Sequence, residues 1–98
     1  MAQFDVYRIA GYGLVVDCQN DVLDDLGSRV VAPLRDADDV SVSKSRLNPL
    51  VTVDGANYRV GTQFLRAVYR KQLSDRVGSL RIHEYEIKAA IDMLVSGF

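Results

Sequence analysis

The 98-residue chain carries one cysteine and a formal net charge of −1, which excludes an internal disulfide and gives no electrostatic basis for direct nucleic-acid binding. Its composition, 48% hydrophobic and 26% charged, is typical of a single globular domain spanning residues 1–98. No apolar run is long enough to cross a bilayer, and no basic segment precedes an apolar stretch at the start, so we expect a cytoplasmic protein that does not act on a membrane.

Alternating apolar residues predict three strands in the first third of the chain, at Gln3–Ile9, Leu14–Gln19 and Arg29–Leu34. In the second strand Cys18 is in phase with two aliphatic residues, so we interpret it as a core thiol. Pro33 lacks a backbone N–H, which predicts that the third strand lies at a sheet edge or at a bulge.

The segment Asn20–Ser28, rich in aspartate, is predicted to be a loop. Val22 and Leu23 within it have two interpretations: they anchor the loop on the core, or they contact a partner. The charged segment Arg35–Asn48 is predicted to be a second, solvated loop.

The second half of the chain begins with a hairpin, Leu50–Val53 and Asn57–Val60, joined through Asp54-Gly55. We predict that Thr62–Leu73 is a turn followed by a strand. Ser74–Ser79 is predicted to be another turn. Five or more short strands with one terminal helix indicate a mainly β fold of the small antiparallel barrel kind.

The terminal helix is predicted to begin near Ile82 or His83 and to cover Glu84–Phe98. One apolar stripe, Ile87, Ala90, Ile91 and Leu94, has the spacing of a helix face that covers a core. Tyr85, Ala89 and Met93 form a second stripe at four-residue steps, which favours a dimer interface over burial beneath a loop of the same chain. Glu84 precedes Lys88 by four residues, the favourable order for an ion pair.

Over its whole length the sequence resembles the CcdB toxins of bacterial toxin–antitoxin modules. The resemblance depends on collinear motifs rather than on any one of them. These are Gln3-Phe4-x-Val6-Tyr7; Val16-Asp17-x-Gln19-x-Asp21 with Asp24, Gly27, Arg29 and Val31-x-Pro33-Leu34; Pro49, Val51, Arg59 and Thr62; and Glu86-Ile87-Lys88-x-Ala90-Ile91 with Gly97.

This resemblance implies an SH3-like barrel with a C-terminal helix, assembled as a homodimer without enzymatic activity or cofactor. It implies that the paired helix ends enter the gyrase A subunit and trap DNA gyrase on cleaved DNA. It also implies that a cognate antitoxin with a disordered tail neutralises the toxin and connects it to operator DNA, which the toxin touches only indirectly. The residues that correspond to gyrase contacts are Val22, Leu23, Asp92, Val95, Ser96, Gly97 and Phe98.

Ser96 is the main departure from the family pattern, because the best-known members have a tryptophan there. Losing a stacked arginine–aromatic contact costs on the order of 1–2 kcal/mol. One alternative is therefore a member that binds its antitoxin without poisoning gyrase. A second alternative is a ribonuclease of the MazF/Kid kind, which has the same barrel; its candidate catalytic residues would be Asp17, Arg29 and His83.

Overall fold

The computed structural model describes residues 2–98, which form seven antiparallel strands curled into a half-barrel and one α-helix. The mainly β fold class is as predicted. The elements are β1 (Asp5–Ile9), β2 (Gly13–Asp17), β3 (Ser28–Asp36), β4 (Leu50–Val53), β5 (Ala56–Val60), β6 (Arg66–Tyr69), β7 (Arg76–Ser79) and α1 (Glu84–Ser96).

Strand β3 is the centre of the sheet, whose order is β4-β5-β3-β2-β1-β7. One side of β3 pairs with β2, and the other side pairs first with β6 and then with β5. Of the two positions predicted for Pro33, a sheet edge or a bulge, the sheet edge is therefore wrong. The Pro33 carbonyl accepts a hydrogen bond of 2.7 Å from the Gly61 N–H, so the backbone of Pro33 faces away from β2. On that side β3 has changed from pairing with β6 to pairing with β5, and no strand residue needs a donor from Pro33. The missing N–H thus costs no ladder bond.

The sheet buries apolar side chains on both of its faces. The main core lies between the sheet and α1. Val6 from β1, Leu14 and Val16 from β2, and Phe4 just before β1 contribute to it. Alternate residues of the same strands, such as Tyr7 and Val15, point into a smaller second core. The predicted faces of β1 and β2 are therefore confirmed, including the packing of Cys18 against the main core.

The hairpin at Asp54-Gly55 is confirmed: both residues have positive φ, 50° and 78°, as a two-residue type I′ turn requires. The strand after Thr62 is also present, but it covers Arg66–Tyr69 and ends earlier than predicted. A 3₁₀ turn at Arg70–Gln72 stops it, and the Tyr69 N–H donates to the Gln72 side chain at 3.0 Å.

The turn predicted at Ser74–Ser79 is wrong, because Arg76–Ser79 is β7. This strand contains Gly78 and Ser79, which have low strand propensity, so local sequence disfavours it. Its partner is β1 at the other end of the chain, where Asp5 pairs with Ser79. Long-range pairing therefore overrides the local preference.

Helix α1 follows a 3₁₀ turn at Arg81–His83, which replaces a side-chain N-cap. It ends at Ser96 rather than continuing to Phe98, because Gly97 adopts a left-handed conformation with φ of 85° and donates its N–H to the Met93 carbonyl at 2.9 Å. The Glu84–Lys88 ion pair is confirmed at 2.9 Å. No helix in residues 2–98 is long and apolar enough to cross a membrane.

Candidate functional site

The outer end of α1 is exposed to solvent. The helix is fixed to the core by two fully buried residues, Ile87 and Ala90, with Ile91 packed beside them. Leu94, the last residue of the predicted core stripe, is 42% exposed, so contact with the core ends one turn before the helix does. Beyond it Val95 is 76% exposed and Phe98 is 83% exposed, while Asp92, Ser96 and Gly97 are exposed as well. The five helix-end residues of the predicted site thus lie together on one free end.

The second stripe of α1 is largely uncovered within this chain. Tyr85 is 75% exposed, Ala89 is exposed and Met93 is half-buried. Shallow grooves run on both sides of the Tyr85–Ala89 ridge; one of them is bounded by the loop residues Ser45 to Pro49. A loop of the same chain therefore flanks the stripe without burying it.

The loop between β2 and β3 presents the other predicted contact residues. A 3₁₀ turn at Asp21–Leu23 begins with Asn20, whose side chain accepts from the Val22 N–H at 2.9 Å. The turn directs Val22 into solvent, where 82% of it is exposed, and leaves Leu23 half-exposed. This exposure excludes the core-anchor interpretation for Val22. Leu26, which no pattern in the sequence distinguishes, is also exposed in the same loop.

The fully buried side chain of Arg29 stabilises the loop between β2 and β3. Its guanidinium bonds Asp17 through Nε at 2.9 Å and Nη2 at 2.7 Å, and it bonds Asp24 through Nη1 at 3.1 Å. Nη2 also donates to the Gln19 carbonyl at 3.2 Å. Arg70 donates to the same oxygen of the Asp24 carboxylate through Nη2 at 3.2 Å. Two arginines and two aspartates therefore fix the loop ends with charge-assisted hydrogen bonds.

The Asp17–Arg29 pair is a structural pair in this fold. Burial raises the pKa of Asp17 above its ordinary value, although the Arg29 guanidinium and the Gln19 N–H both donate to its carboxylate. The structure brings Asp17 and Arg29 together, but neither side chain has a surface that a substrate could touch. The third catalytic candidate, His83, lies in the 3₁₀ turn before α1 and makes none of the hydrogen bonds of this cluster described for residues 2–98.

The Cys18 thiol is protected by its surroundings. Burial raises its pKa to about 12, and Asp17 nearby adds to the effect. We therefore expect iodoacetamide at pH 8 to alkylate native Cys18 far more slowly than the same residue in denaturant, because the thiolate is the reactive form. Mass spectrometry of the two time courses measures the difference. Equal rates would show that the thiol is reactive in the folded protein.

Comparison with known proteins gives matches over nearly all of the chain. A family model described as "CcdB protein" matches residues 3–97. A solved structure described as an endoribonuclease from Mycobacterial species superposes with a TM-score of 0.75 at 13% identity, covering 97% of this chain and 90% of that one. A second, described as an endoribonuclease in complex with its cognate antitoxin from Mycobacterial species, has a TM-score of 0.70 at 17% identity, covering 97% of this chain and 94% of that one. At these identities the two structures establish a shared fold.

Proposed function

The chain belongs to the CcdB family of toxin–antitoxin toxins, and from this premise we propose that it poisons DNA gyrase through the free end of α1. The observation that carries the proposal is the exposure of Val95 and Phe98, two large apolar side chains at the end of a helix. Exposed apolar residues that cluster in this way are typical of a surface that binds another protein.

The left-handed conformation of Gly97 supports the proposal by setting the direction of Phe98. A residue with a Cβ is strained at a φ of 85°, so glycine is the suitable residue at this position. Phe98 supplies an aromatic ring two residues beyond Ser96, where the best-known family members have tryptophan. In our proposal this ring provides the stacking surface that Ser96 lacks.

We further propose that the toxin acts as a homodimer formed along Tyr85, Ala89 and Met93. The small Ala89 side chain between two larger ones leaves room for close approach of a second helix. A two-fold axis along this stripe would present two helix ends to a target with the same symmetry. Val22 and Leu23 complete the proposed gyrase surface, on a loop that Arg29 keeps rigid.

The proposal also includes neutralisation by a cognate antitoxin with a disordered tail. Family membership supports this, and the endoribonuclease of similar fold was solved together with its own antitoxin. DNA would be reached only through that antitoxin.

A gyrase cleavage assay tests the central claim. The full chain, after its mass has been measured by light scattering, should stabilise cleaved DNA complexes with gyrase. Deleting Ser96–Phe98 should abolish this effect, and Phe98→Ala should weaken it by roughly tenfold, because it removes one stacking contact. Val40→Glu is the matched control, because Val40 is 87% exposed and lies in the loop between β3 and β4.

The same assay separates the alternatives. If the wild type leaves cleavage and supercoiling unchanged at micromolar concentration but binds its antitoxin, the protein has only the regulatory role that Ser96 suggests. If it cleaves RNA, and a His83→Ala variant does not, the ribonuclease alternative is correct. The burial of Asp17 and Arg29 favours gyrase poisoning over ribonuclease activity.

A further inference from the structure

In residues 2–98 strand β6 pairs with another strand along one edge only. Among the described residues its single strand partner is β3, with Val31 opposite Arg66 and Arg29 opposite Val68. Val30 directs both of its backbone groups toward β2, since its carbonyl accepts from the Cys18 N–H and its N–H donates to the Gln19 side chain.

The backbone groups of Arg29 and Val31 therefore face β6, and they bond Val68 and Arg66. Ala67, between these two, directs its N–H and its carbonyl away from the sheet. The next outward N–H, that of Tyr69, is already bonded to the Gln72 side chain at 3.0 Å. The edge thus offers one donor and one acceptor, the N–H and the carbonyl of Ala67, on a short, exposed strand, and an unpaired strand edge of this kind can accept a further strand.

The surface around this edge is positively charged, although the chain as a whole has a net charge of −1. Three shallow grooves meet at residues 69 to 74 and include Arg8, Arg66 and Lys71. Within residues 2–98 none of these three cations forms an ion pair, whereas the neighbouring Arg70 is paired with Asp24. Asp75 is the one carboxylate lining the same grooves in that part of the chain.

Two of the cations lie over exposed tyrosine rings. The Arg66 guanidinium is 4.9 Å from the centroid of the Tyr12 ring, and the Lys71 ammonium is 5.9 Å from that of Tyr69. The rings hold the cations at the surface while leaving them able to bind an anion.

The two faces of β6 differ in chemistry. Arg66 and Val68 point to one face, where Val68 is buried in the second core. Ala67 and Tyr69 point to the other face and are exposed. A strand added beside β6 would therefore have alternate side chains next to a cation and next to an apolar surface.

We propose that this β6 edge surface, defined by Arg8, Arg66, Ala67, Tyr69 and Lys71, binds an extended acidic segment of a partner polypeptide by strand addition. The free N–H and carbonyl of Ala67 favour a polypeptide over a nucleic acid, because an extended peptide presents a complementary carbonyl and N–H on the same edge. Three free cations are also fewer than the phosphate contacts on which nucleic-acid binding usually depends. The inference uses no helix-end residue and does not depend on gyrase poisoning.

A fluorescence anisotropy titration of the full chain with a labelled short peptide of alternating glutamate and valine tests the proposal. Ala67→Pro removes the outward N–H without removing a bond to β3, so we expect about tenfold weaker peptide binding and an unchanged β3–β6 ladder. Ala67→Val keeps the N–H and should bind as the wild type does. Combined Arg66→Glu and Lys71→Glu should also weaken binding by about tenfold, whereas Lys44→Glu with Arg46→Glu should not.

Circular dichroism melting of every variant establishes that it is folded, and amide shifts in NMR spectra of the wild type provide a second readout at Ala67. The proposal is overturned if the peptide does not bind, or if Ala67→Pro, folded, binds it as tightly as Ala67→Val does. It is also overturned if an oligouridylate binds more tightly than the peptide and displaces it, since the edge would then be a nucleic-acid surface. The gyrase assay is unaffected by any of these outcomes.

Discussion

Replacing Arg29 by methionine should lower the free energy of unfolding by about 3–5 kcal/mol, because it leaves the buried Asp17 carboxylate without its counter-charge. This is a large share of the stability of a small domain, which is typically about 5–15 kcal/mol. Urea unfolding followed by circular dichroism measures the loss. We also expect the loop that carries Val22 to become mobile, because Arg29 bonds Asp24 and the Gln19 carbonyl at its two ends.

Two further variants separate the charge effect from simple loss of contacts. The double substitution Asp17→Leu with Arg29→Met removes both charges and should recover most of the lost stability, since an apolar pair of similar volume replaces a buried ion pair well. Lys88→Ala breaks an exposed ion pair and should change the stability little. If the double variant were as unstable as Arg29→Met alone, an unpaired Asp17 would not be the cause.

Ile87→Ala should destabilise the protein by about 2–5 kcal/mol, because Ile87 is fully buried and is the main attachment of α1 to the half-barrel. Thermal unfolding measures the change. Leu94→Ala is the matched control on the same face of the helix; it is 42% exposed and should cost much less.

The same pair of variants connects stability with the proposed activity. Under conditions in which Ile87→Ala remains folded, its helix end is held less firmly, and gyrase cleavage should be weakened. A variant that loses the expected stability but poisons gyrase as well as the wild type would show that rigid attachment of the helix is not needed for activity.

Local patterns in the sequence were sufficient for much of the fold. The Asp54-Gly55 turn and the Glu84–Lys88 pair depend on neighbours only a few residues apart, and both are present as predicted. β7 was missed because its pairing with β1 joins the two ends of the chain. The position of Pro33 was misjudged for a related reason: only the assembled sheet shows that β3 exchanges one partner for another there.

In the candidate site, too, some features could be predicted from the sequence and others depend on long-range contacts. Helical periodicity predicted the two apolar stripes of α1, whereas the contact residues at its end came from the resemblance to the CcdB toxins. The left-handed Gly97 ends the helix at Ser96, two residues earlier than predicted. The role of Arg29 could not be derived from the sequence, where it resembles any surface arginine beside a strand. Its function depends on Asp17 and Asp24 meeting around it, one from β2 and one from the adjoining loop. The surface along β6 could not be predicted from the sequence either, because the strand order of the folded sheet decides which strand edges stay unpaired.

The pairing of β1 with β7 has a consequence for how the toxin is made. Val6 lies between Val16 and Gly78, and the Phe4 carbonyl accepts from the Leu80 N–H at 2.7 Å. During translation one edge of β1 therefore stays unpaired until β7 has left the ribosome exit tunnel. We therefore expect fragments that stop before Arg76 to leave one edge of β1 without a partner and to be prone to aggregation or proteolysis.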